Sequence, residues 1–179
     1  MKKDVKGYAS VDKPWLKYYP NGGMKQEEID AKINKSMYQM LDESTSSIED
    51  LVTIEYFGQT ITNREFKRRI LECAKSFLVL GVKKGDIVPL ILPNQPESRI
   101  LIYALNYIGA IAYPIQPTLP SAQLNRIIEE NNVRNIAIFR DFYRQYKLKL
   151  KAVENIIYTT GKESLPDAVK KIDYISHVT

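Results

Sequence analysis

Four basic side chains in the last third of the chain are candidates for binding an anionic ligand. They are Arg140, Arg144, Lys147 and Lys151. Residues spaced by three or four positions share roughly one face of a helix, and a row of cations there can bind the phosphates of a polyanion. The alternative is a solvated helix that keeps the protein in solution, and the pattern alone favours that alternative.

A second candidate is the segment 158–164, which reads Tyr-Thr-Thr-Gly-Lys-Glu-Ser and partly resembles a phosphate-binding loop. Such loops need several glycines so that the backbone can wrap around the anion, and this segment has one. Neither Gly-x-Gly-x-x-Gly nor Gly-x-x-x-x-Gly-Lys-Ser/Thr occurs anywhere in the chain. The segment therefore predicts an ordinary turn after a strand.

The sequence has few residues that could act as nucleophiles or as metal ligands. His177, the single histidine, lies near the end of the sequence, and no serine, cysteine or carboxylate is spaced to pair with it. Cys73 falls among apolar positions of a predicted helix, where a cysteine behaves as a small hydrophobic residue. No His, Cys, Asp or Glu cluster has metal-site spacing. We predict no catalytic residue and no metal ligand in this sequence.

Composition limits the partners and the compartment. The net charge of +5 is modest, and no basic-aromatic pattern of an RNA-reading sheet is present, so we expect no nucleic-acid binding. A single cysteine suits a reducing compartment. The polar start is no signal peptide, and the most apolar run, residues 100–108, is too short to span a bilayer. We therefore expect a cytoplasmic protein without a transmembrane segment.

The first fifty residues are predicted to form an amino-terminal arm with one amphipathic helix. The aromatic run of residues 13–20 includes Trp15, Tyr18 and Tyr19, which we expect to be buried because their exposure would cost about 2 kcal/mol each. A helix is predicted from about Glu27. Its apolar stripe comprises Ile29, Ile33, Met37 and Leu41.

Residues 51–179 have the pattern of an α/β subdomain. Residues 53–61 predict a hairpin with a turn at Gly58-Gln59. Thr62 and Glu65 predict a capping box at the start of a helix that ends at Gly81. The predicted inner face of that helix comprises Phe66, Ile70, Ala74, Phe77 and Leu78.

The strand that follows, residues 87–92, is apolar on both faces, which is typical of a central parallel strand. Pro89 within it predicts a bulge or an open edge. Asn94 is predicted to cap the next helix, with Pro96 in its first turn. This helix, running to Gly109, has little polar face and should be buried.

Further strands are predicted at 111–115, 135–139 and 155–158, with helices beginning near Thr118 and at Phe142, the latter running to Val153. Strands and helices therefore alternate, which predicts a mostly parallel, doubly wound sheet with helices on both faces. Ligands of such sheets bind at the carboxyl ends of the strands. The candidate loops are residues 93–95, 116–118 and 140–141.

A series of short motifs from Thr53 to Phe139 resembles the opening part of the adenylate-forming (AMP-binding) enzymes, which include acyl-CoA synthetases, luciferases and peptide-synthetase adenylation domains. The motifs are Ile61-Thr62, Glu65-Phe66, Ala74, Leu80-Gly81-Val82, Gly85-Asp86-Ile87-Val88, Pro93-Asn94, Glu97, Ala104-Leu105, Gly109-Ala110 and Pro114. The aromatic arm looks more like the leader of a fatty-acid–CoA ligase.

The resemblance implies a ligase that forms an acyl adenylate from ATP and a carboxylate and then a thioester with coenzyme A, using Mg2+. The family's phosphate loop, adenine motif, ribose-binding aspartate and carboxy-terminal lysine have no match here. The chain is therefore expected to be an amino-terminal fragment, a scaffold without activity or bound cofactor. Its partners would be the remainder of its own polypeptide and, in the complete protein, a small carboxylic acid. Arg140 and Arg144 could contact the coenzyme A phosphates.

Two alternatives remain open at this stage. One is a fragment of a peptide- or polyketide-synthetase adenylation domain, whose acyl acceptor is a carrier protein. The other is a non-catalytic α/β interaction module. A receiver-like domain is disfavoured, because no acidic cluster follows the strand ending at Leu92.

Overall fold

The computed structural model of the chain describes residues 7–19, 23–144, 146, 153–162 and 164–165. Two compact units are present, one within residues 1–35 and a larger one within residues 36–179. The first unit contains α1 (Ala9–Asp12), a 3-10 helix (Pro14–Tyr18) and α2 (Gln26–Ile33). The second contains the sheets and the remaining helices.

The aromatic residues of the first unit lie exposed. Trp15, Tyr18 and Tyr19 retain 44%, 77% and 56% of their accessible surface, so the prediction that they are buried is wrong for the chain as described. Trp15 and Tyr18 lie on a 3-10 helix of five residues, and Tyr19 follows it directly. Elements of one turn have no continuous apolar stripe with which to form a core.

The predicted single helix of the arm is two helices. The first, α2, ends at Ile33, and α3 (Met37–Thr45) begins after Ser36. The Ser36 hydroxyl accepts from the Gln39 amide at 3.1 Å, and the Gln39 side chain accepts from the Ser36 amide at 2.8 Å. This capping box starts a new helix, because it satisfies the free amides that a continuous helix would have bonded. The four-residue apolar spacing continues across the break, which is why periodicity alone did not reveal it.

The hairpin is formed by β1 (Val52–Tyr56) and β2 (Gln59–Thr62), which pair antiparallel in a separate two-stranded sheet. The two turn residues are Phe57 and Gly58, one position earlier than predicted, with φ of +49° and +78°. Two successive positive φ values define the type I′ turn that matches strand twist.

The helix α4 (Asn63–Val79) begins with half of the predicted capping box. The Thr62 hydroxyl accepts from the Glu65 amide at 3.3 Å, as expected. The Glu65 carboxylate does not return to the Thr62 amide but accepts from Arg68 at 2.7 Å and from Arg69 at 2.6 Å. Two guanidinium groups one turn away compete more strongly for a carboxylate than one neutral amide does.

The same helix ends as predicted at Gly81, whose φ is +78°. The Val82 amide donates to the Phe77 carbonyl and the Gly81 amide to the Leu78 carbonyl, both at 3.0 Å. This pair of bonds is a Schellman motif. Its consequence is that Phe77 and Val82, each 2% exposed, enter the core together. Leu78, predicted on the inner face, is 55% exposed.

The parallel sheet has the strand order β4-β3-β5-β6. Its strands are β3 (Ile87–Ile91), β4 (Ile111–Pro114), β5 (Asn135–Phe139) and β6 (Asn155–Thr159). The helix α5 (Pro96–Tyr107) connects β3 to β4, and α6 (Ser121–Glu130) connects β4 to β5. The predicted α/β, mostly parallel and doubly wound architecture is confirmed.

Pro89 shortens one ladder of this sheet. The Asp86 carbonyl accepts from the Ile111 amide at 2.8 Å, and the Leu90 carbonyl accepts from the Ile115 amide, just after β4, at 2.9 Å. Since successive residues of a parallel strand face opposite neighbours, Pro89 turns its missing N–H toward β5. The β3–β5 ladder is recorded only after it, at Leu90↔Ala137 and Ile91↔Ile138. The predicted bulge or open edge at Pro89 is wrong: β3 lies inside the sheet and pairs with β4 without a register shift, and what Pro89 interrupts is the ladder to β5.

Two hydrophobic cores cover the two faces of the sheet. On one face Val88, Leu90 and Ala137 pack with α4 and α5. On the other face Ile91, Ile136 and Ile138 pack with α6. Neighbouring residues of one strand thus enter different cores, as the alternation of side chains along a strand requires. Helices on both faces explain why β3 is apolar throughout and why β5 is apolar after Asn135.

A nearly buried lysine ties α3 to α4. The Lys67 side chain is 10% exposed, and its ammonium donates to Asp42 Oδ1 and Glu49 Oε1, both at 2.9 Å. The hydrogen bonds to both carboxylates raise the pKa of Lys67, so it stays charged at neutral pH. The pair of contacts holds α3 and the segment before β1 against the larger helix.

Candidate functional site

The carboxyl edge of the parallel sheet is where the fold would place a ligand. The chain moves from β3 to β4 on one side and then to β5 and β6 on the other. The topological switch point therefore lies between β3 and β5, and doubly wound sheets bind ligands in the crevice beyond those strand ends. The segments that follow the strands there are residues 92–95, 115–120, 140–144 and 160–162.

Gln95 bridges this edge. Its side-chain Nε2 donates to Thr159 Oγ1 at 3.1 Å, joining the loop after β3 to the end of β6, and the residue is only 3% exposed. The helix α5 begins at Pro96 with Gln95 as its N-cap. Asn94, predicted as the cap, instead accepts from Arg99 at 3.3 Å. Pro96 was the signal that could have placed the cap correctly, because proline prefers the first helical position.

Arg140 and Arg144 lie at the same edge, on the helix α7 (Arg140–Tyr143) and directly after it. Both residues are exposed. The Arg140 guanidinium stands over the Tyr158 ring, 5.9 Å from its centroid, and the Tyr143 ring meets Tyr158 edge to face at 5.2 Å. Helix α7 begins two residues earlier than predicted and ends at Tyr143. Lys147 and Lys151 of the predicted basic face lie outside the described residues.

The segment after β6 forms a turn, as expected. The Lys162 amide donates to the Thr160 hydroxyl at 3.3 Å, and Gly161 has φ of +70°. A Cβ added at Gly161 would lie 2.7 Å from Gln95 Oε1 and 3.4 Å from the Phe139 ring. The glycine is therefore required by the close approach of Gln95, and the hydroxyl serves a local turn.

Replacing Gly161 with alanine is expected to lower the free energy of unfolding by about 2 kcal/mol. A left-handed backbone costs an alanine about 1 kcal/mol, and displacement of the buried Gln95 amide adds a similar amount. Gly58→Ala is the matched control, because Gly58 has φ of +78° and nothing within 4 Å of the added Cβ. Urea unfolding of both variants measures the difference. Equal losses would show that the Gln95 contact contributes nothing.

A small cavity of about 210 Å³ lies beside this edge, between α4, α5 and β6. Its lining combines Cys73 and Glu97 with three aliphatic side chains of α5 and β6 and with Tyr158 and Thr159. The Ser164 hydroxyl donates to Glu97 Oε1, while Glu97 Oε2 is buried without a partner among the described residues. Burial raises the pKa of the Cys73 thiol to about 11, so it is protonated at neutral pH and a poor nucleophile.

Other predicted chemistry can be placed only in part. His177 lies outside the described residues. Among the residues described, no group of three or more His, Cys, Asp or Glu side chains could hold a metal ion. Within the same part of the chain, no helix is both long and apolar enough to cross a membrane.

Comparison with known proteins identifies the family. The model of the AMP-binding enzyme family matches residues 41–176, about three quarters of the chain. The chain belongs to the AMP-binding enzyme family. The matched span contains α4 and the whole parallel sheet. Several of the short motifs that resemble this family, such as Leu80-Gly81-Val82 and Gly109-Ala110, lie at the ends of helices in this span.

Individual relatives agree with this membership. The long-chain-fatty-acid–CoA ligase of Bacillus subtilis (strain 168) is 29% identical over 157 residues, which are 86% of this chain and 27% of that protein. An anthranilate CoA ligase solved with anthranoyl-AMP superposes with a TM-score of 0.68 at 18% identity, over 77% of this chain and 27% of that one. An artificially fused adenylation-PCP di-domain from Klebsiella oxytoca superposes with a TM-score of 0.56 at 21% identity, over 72% of this chain and 23% of that one. The chain thus spans about a quarter of the length of these AMP-binding enzymes.

Proposed function

We propose that the chain is the amino-terminal part of the large domain of an ATP-dependent acyl-CoA synthetase. In the complete protein, a carboxylate would displace pyrophosphate from ATP, and the coenzyme A thiol would then displace AMP from the acyl adenylate. ATP, Mg2+ and coenzyme A would be required. The family match over residues 41–176 carries this proposal, together with the Bacillus subtilis relative.

The proposed role of the described residues is structural. At the switch point, the Gln95–Thr159 hydrogen bond joins the loop after β3 to the end of β6, and no glycine-rich loop follows any of the strands. The segment therefore supplies a packed sheet with helices on both faces and, in the complete protein, one wall of the active-site cleft. The chain by itself is expected to have no activity.

Arg140 and Arg144 are the residues proposed to contact a ligand, namely the phosphates of coenzyme A. Both are exposed at the carboxyl edge, and neither has an ion-pair partner among the described residues. A guanidinium group suits a phosphate, because it can donate two parallel hydrogen bonds to it. The nearby Tyr158 ring limits the orientations open to Arg140.

Pyrophosphate exchange tests the main proposal. The 179-residue chain should incorporate no labelled pyrophosphate into ATP, whereas the product of the complete reading frame should do so with a fatty acid from a carboxylate panel. Exchange by the chain alone would contradict the scaffold role. A native stop codon directly after Thr179 would contradict the enzyme and favour an interaction module.

The acyl acceptor is tested separately. In the complete protein, Arg140→Ala with Arg144→Ala should raise the KM for coenzyme A about tenfold while leaving pyrophosphate exchange unchanged. Arg126→Ala is the control, because Arg126 is an exposed arginine on α6, paired with Glu130. If a carrier protein accepts the acyl group and coenzyme A does not, the adenylation-domain alternative holds. A carrier protein is included in the assay because the Klebsiella oxytoca neighbour is an adenylation domain fused to one.

A further inference from the structure

The end of β6 presents successive side chains to opposite faces of the sheet. Ile157 packs in the core with α4 and α5, whereas Ile156 packs in the core with α6. The alternation of side chains along a strand therefore places Thr159 on the α5 face and Tyr158 on the opposite face. Their exposures differ accordingly, since Thr159 is 7% exposed and Tyr158 is 40% exposed. A contact made on one face thus fixes a side chain on the other through two neighbouring residues.

On the α5 face, Gln95 holds Thr159. The Gln95 Nε2 donates to Thr159 Oγ1 at 3.1 Å, and both residues are buried. Gln95 is itself anchored as the N-cap of the twelve-residue helix α5. It also lies beside the end of β5, because a Cβ added at Gly161 would meet both Gln95 Oε1 and the ring of Phe139, the residue before Arg140. The hydrogen bond therefore fixes the end of β6 against the start of α5, next to the end of β5.

On the opposite face, Tyr158 contacts the helix α7. The Arg140 guanidinium lies 5.9 Å from the Tyr158 ring centroid, within the range of a cation–π contact, and the Tyr143 ring meets the same ring edge to face. Burial and a hydrogen bond with Tyr143 raise the pKa of the Tyr158 hydroxyl, so it stays neutral at neutral pH. An exposed arginine samples many rotamers, and a fixed ring that holds its guanidinium reduces the entropy lost when a phosphate binds.

We propose that Gln95 is a positioning residue for the binding of coenzyme A. Its hydrogen bond with Thr159 fixes the end of β6, and the neighbouring Tyr158 ring then keeps the Arg140 guanidinium where a phosphate can accept from it. Gln95 is 3% exposed, so it acts through Arg140 and not by contact with the ligand. This inference rests on the proposed contact between Arg140 and the coenzyme A phosphates, and it adds a residue on which that contact depends.

NMR of the 179-residue chain tests this coupling without coenzyme A. The Tyr158 ring shifts the resonances of nearby Arg140 side-chain protons, so these resonances report on the contact. Thr159→Val removes the hydroxyl and keeps the side-chain shape, and we expect it to move the Arg140 resonances toward their random-coil positions. Gln95→Met, which removes the same hydrogen bond, should do likewise, whereas Thr159→Ser should keep the shift. Unchanged Arg140 resonances in Thr159→Val, or equal changes in the valine and serine variants, would overturn the proposal.

The KM for coenzyme A tests the consequence in the complete protein. Thr159→Val should raise this KM about threefold, the size of an exposed cation–π contact, and leave pyrophosphate exchange unchanged. Thr159→Ser should restore the KM. Thr45→Val is the matched control, because Thr45 is 8% exposed and its hydroxyl donates to the Leu41 carbonyl at 2.7 Å within α3. The control loses a comparable buried hydrogen bond, so it should lower the stability similarly without raising the KM.

A double-mutant cycle with Arg140→Ala separates this inference from the proposed function. Once Arg140 is removed, Thr159→Val should raise the KM for coenzyme A no further, because it acts through that arginine. An additional threefold rise in that background, or a loss of pyrophosphate exchange in Thr159→Val alone, would show a general structural role and contradict the positioning role. A higher KM in Arg140→Ala with none in Thr159→Val would contradict this inference alone. An unchanged KM in Arg140→Ala would overturn the proposed coenzyme A contact and this inference with it.

Discussion

Replacing Phe77 with alanine is expected to lower the free energy of unfolding of the larger unit by about 4 kcal/mol. Phe77 is 2% exposed and belongs to the core between α4, α5 and the sheet. Its loss leaves a cavity that the surrounding helices cannot fill. Since a domain of this size is stable by roughly 5–15 kcal/mol, a large part of its stability would be removed. Urea unfolding followed by circular dichroism measures the change.

Leu78→Ala is the matched control, because Leu78 is the next residue of the same helix and is 55% exposed. Alanine and leucine have similar helix propensities, so the control should lose well under 1 kcal/mol. A comparable loss in both variants would contradict the Schellman geometry that directs Phe77 inward and Leu78 outward.

Replacing Lys67 with methionine is expected to cost about 2 kcal/mol. Methionine keeps most of the aliphatic stem, so the loss reports on the charge. The Lys67 ammonium lies 2.9 Å from a carboxylate oxygen of Asp42 and 2.9 Å from one of Glu49. Without the ammonium the two carboxylates remain close together and repel each other, and removing one partner of an ion pair costs more than the net contribution of the pair suggests. The partial exposure of both carboxylates keeps the cost below that of a fully buried pair.

A double-mutant cycle sharpens this test. Adding Asp42→Asn to Lys67→Met should recover part of the stability, because it removes one of the two repelling charges. Lys75→Met, at an exposed lysine of the same helix, should be nearly neutral. If Asp42→Asn lowers stability equally in the presence and in the absence of Lys67, the ion pair is not coupled and the explanation is wrong.

The sequence was sufficient for the architecture of the larger unit because its signals are local and repeated. The parallel sheet covered on both faces was predicted from the alternation of strands and helices and from the strand at residues 87–92, which is apolar on both faces, while the periodic apolar positions of α4 and the glycine that ends it predicted that helix. Each of these signals depends on burial or on backbone conformation within a few residues. Tertiary contacts reinforce them and do not compete with them.

The errors arose where two local partners compete or where a partner is distant in sequence. The Glu65 carboxylate can accept from the Thr62 amide or from two arginines, and the apolar periodicity of the sequence does not indicate which of these bonds forms. Ser36 interrupts a helix whose apolar spacing continues unbroken. The Gln95–Thr159 hydrogen bond joins residues 64 positions apart, so no local pattern could indicate it. Arg140 and Arg144 were found from spacing, and their contact with coenzyme A stays a prediction.

The interrupted ladder at Pro89 has a consequence for the response of the sheet to temperature. Two register pairs join β3 to β5, whereas five pairs join β5 to β6. The contact between β3 and β5 therefore depends more on side-chain packing than the contact between β5 and β6 does, with Ala137 in one core and Ile91 in the other. Apolar packing weakens on cooling, while backbone hydrogen bonds do not share that dependence. Cold should loosen this domain along the β3–β5 line before it frays the outer strand β6.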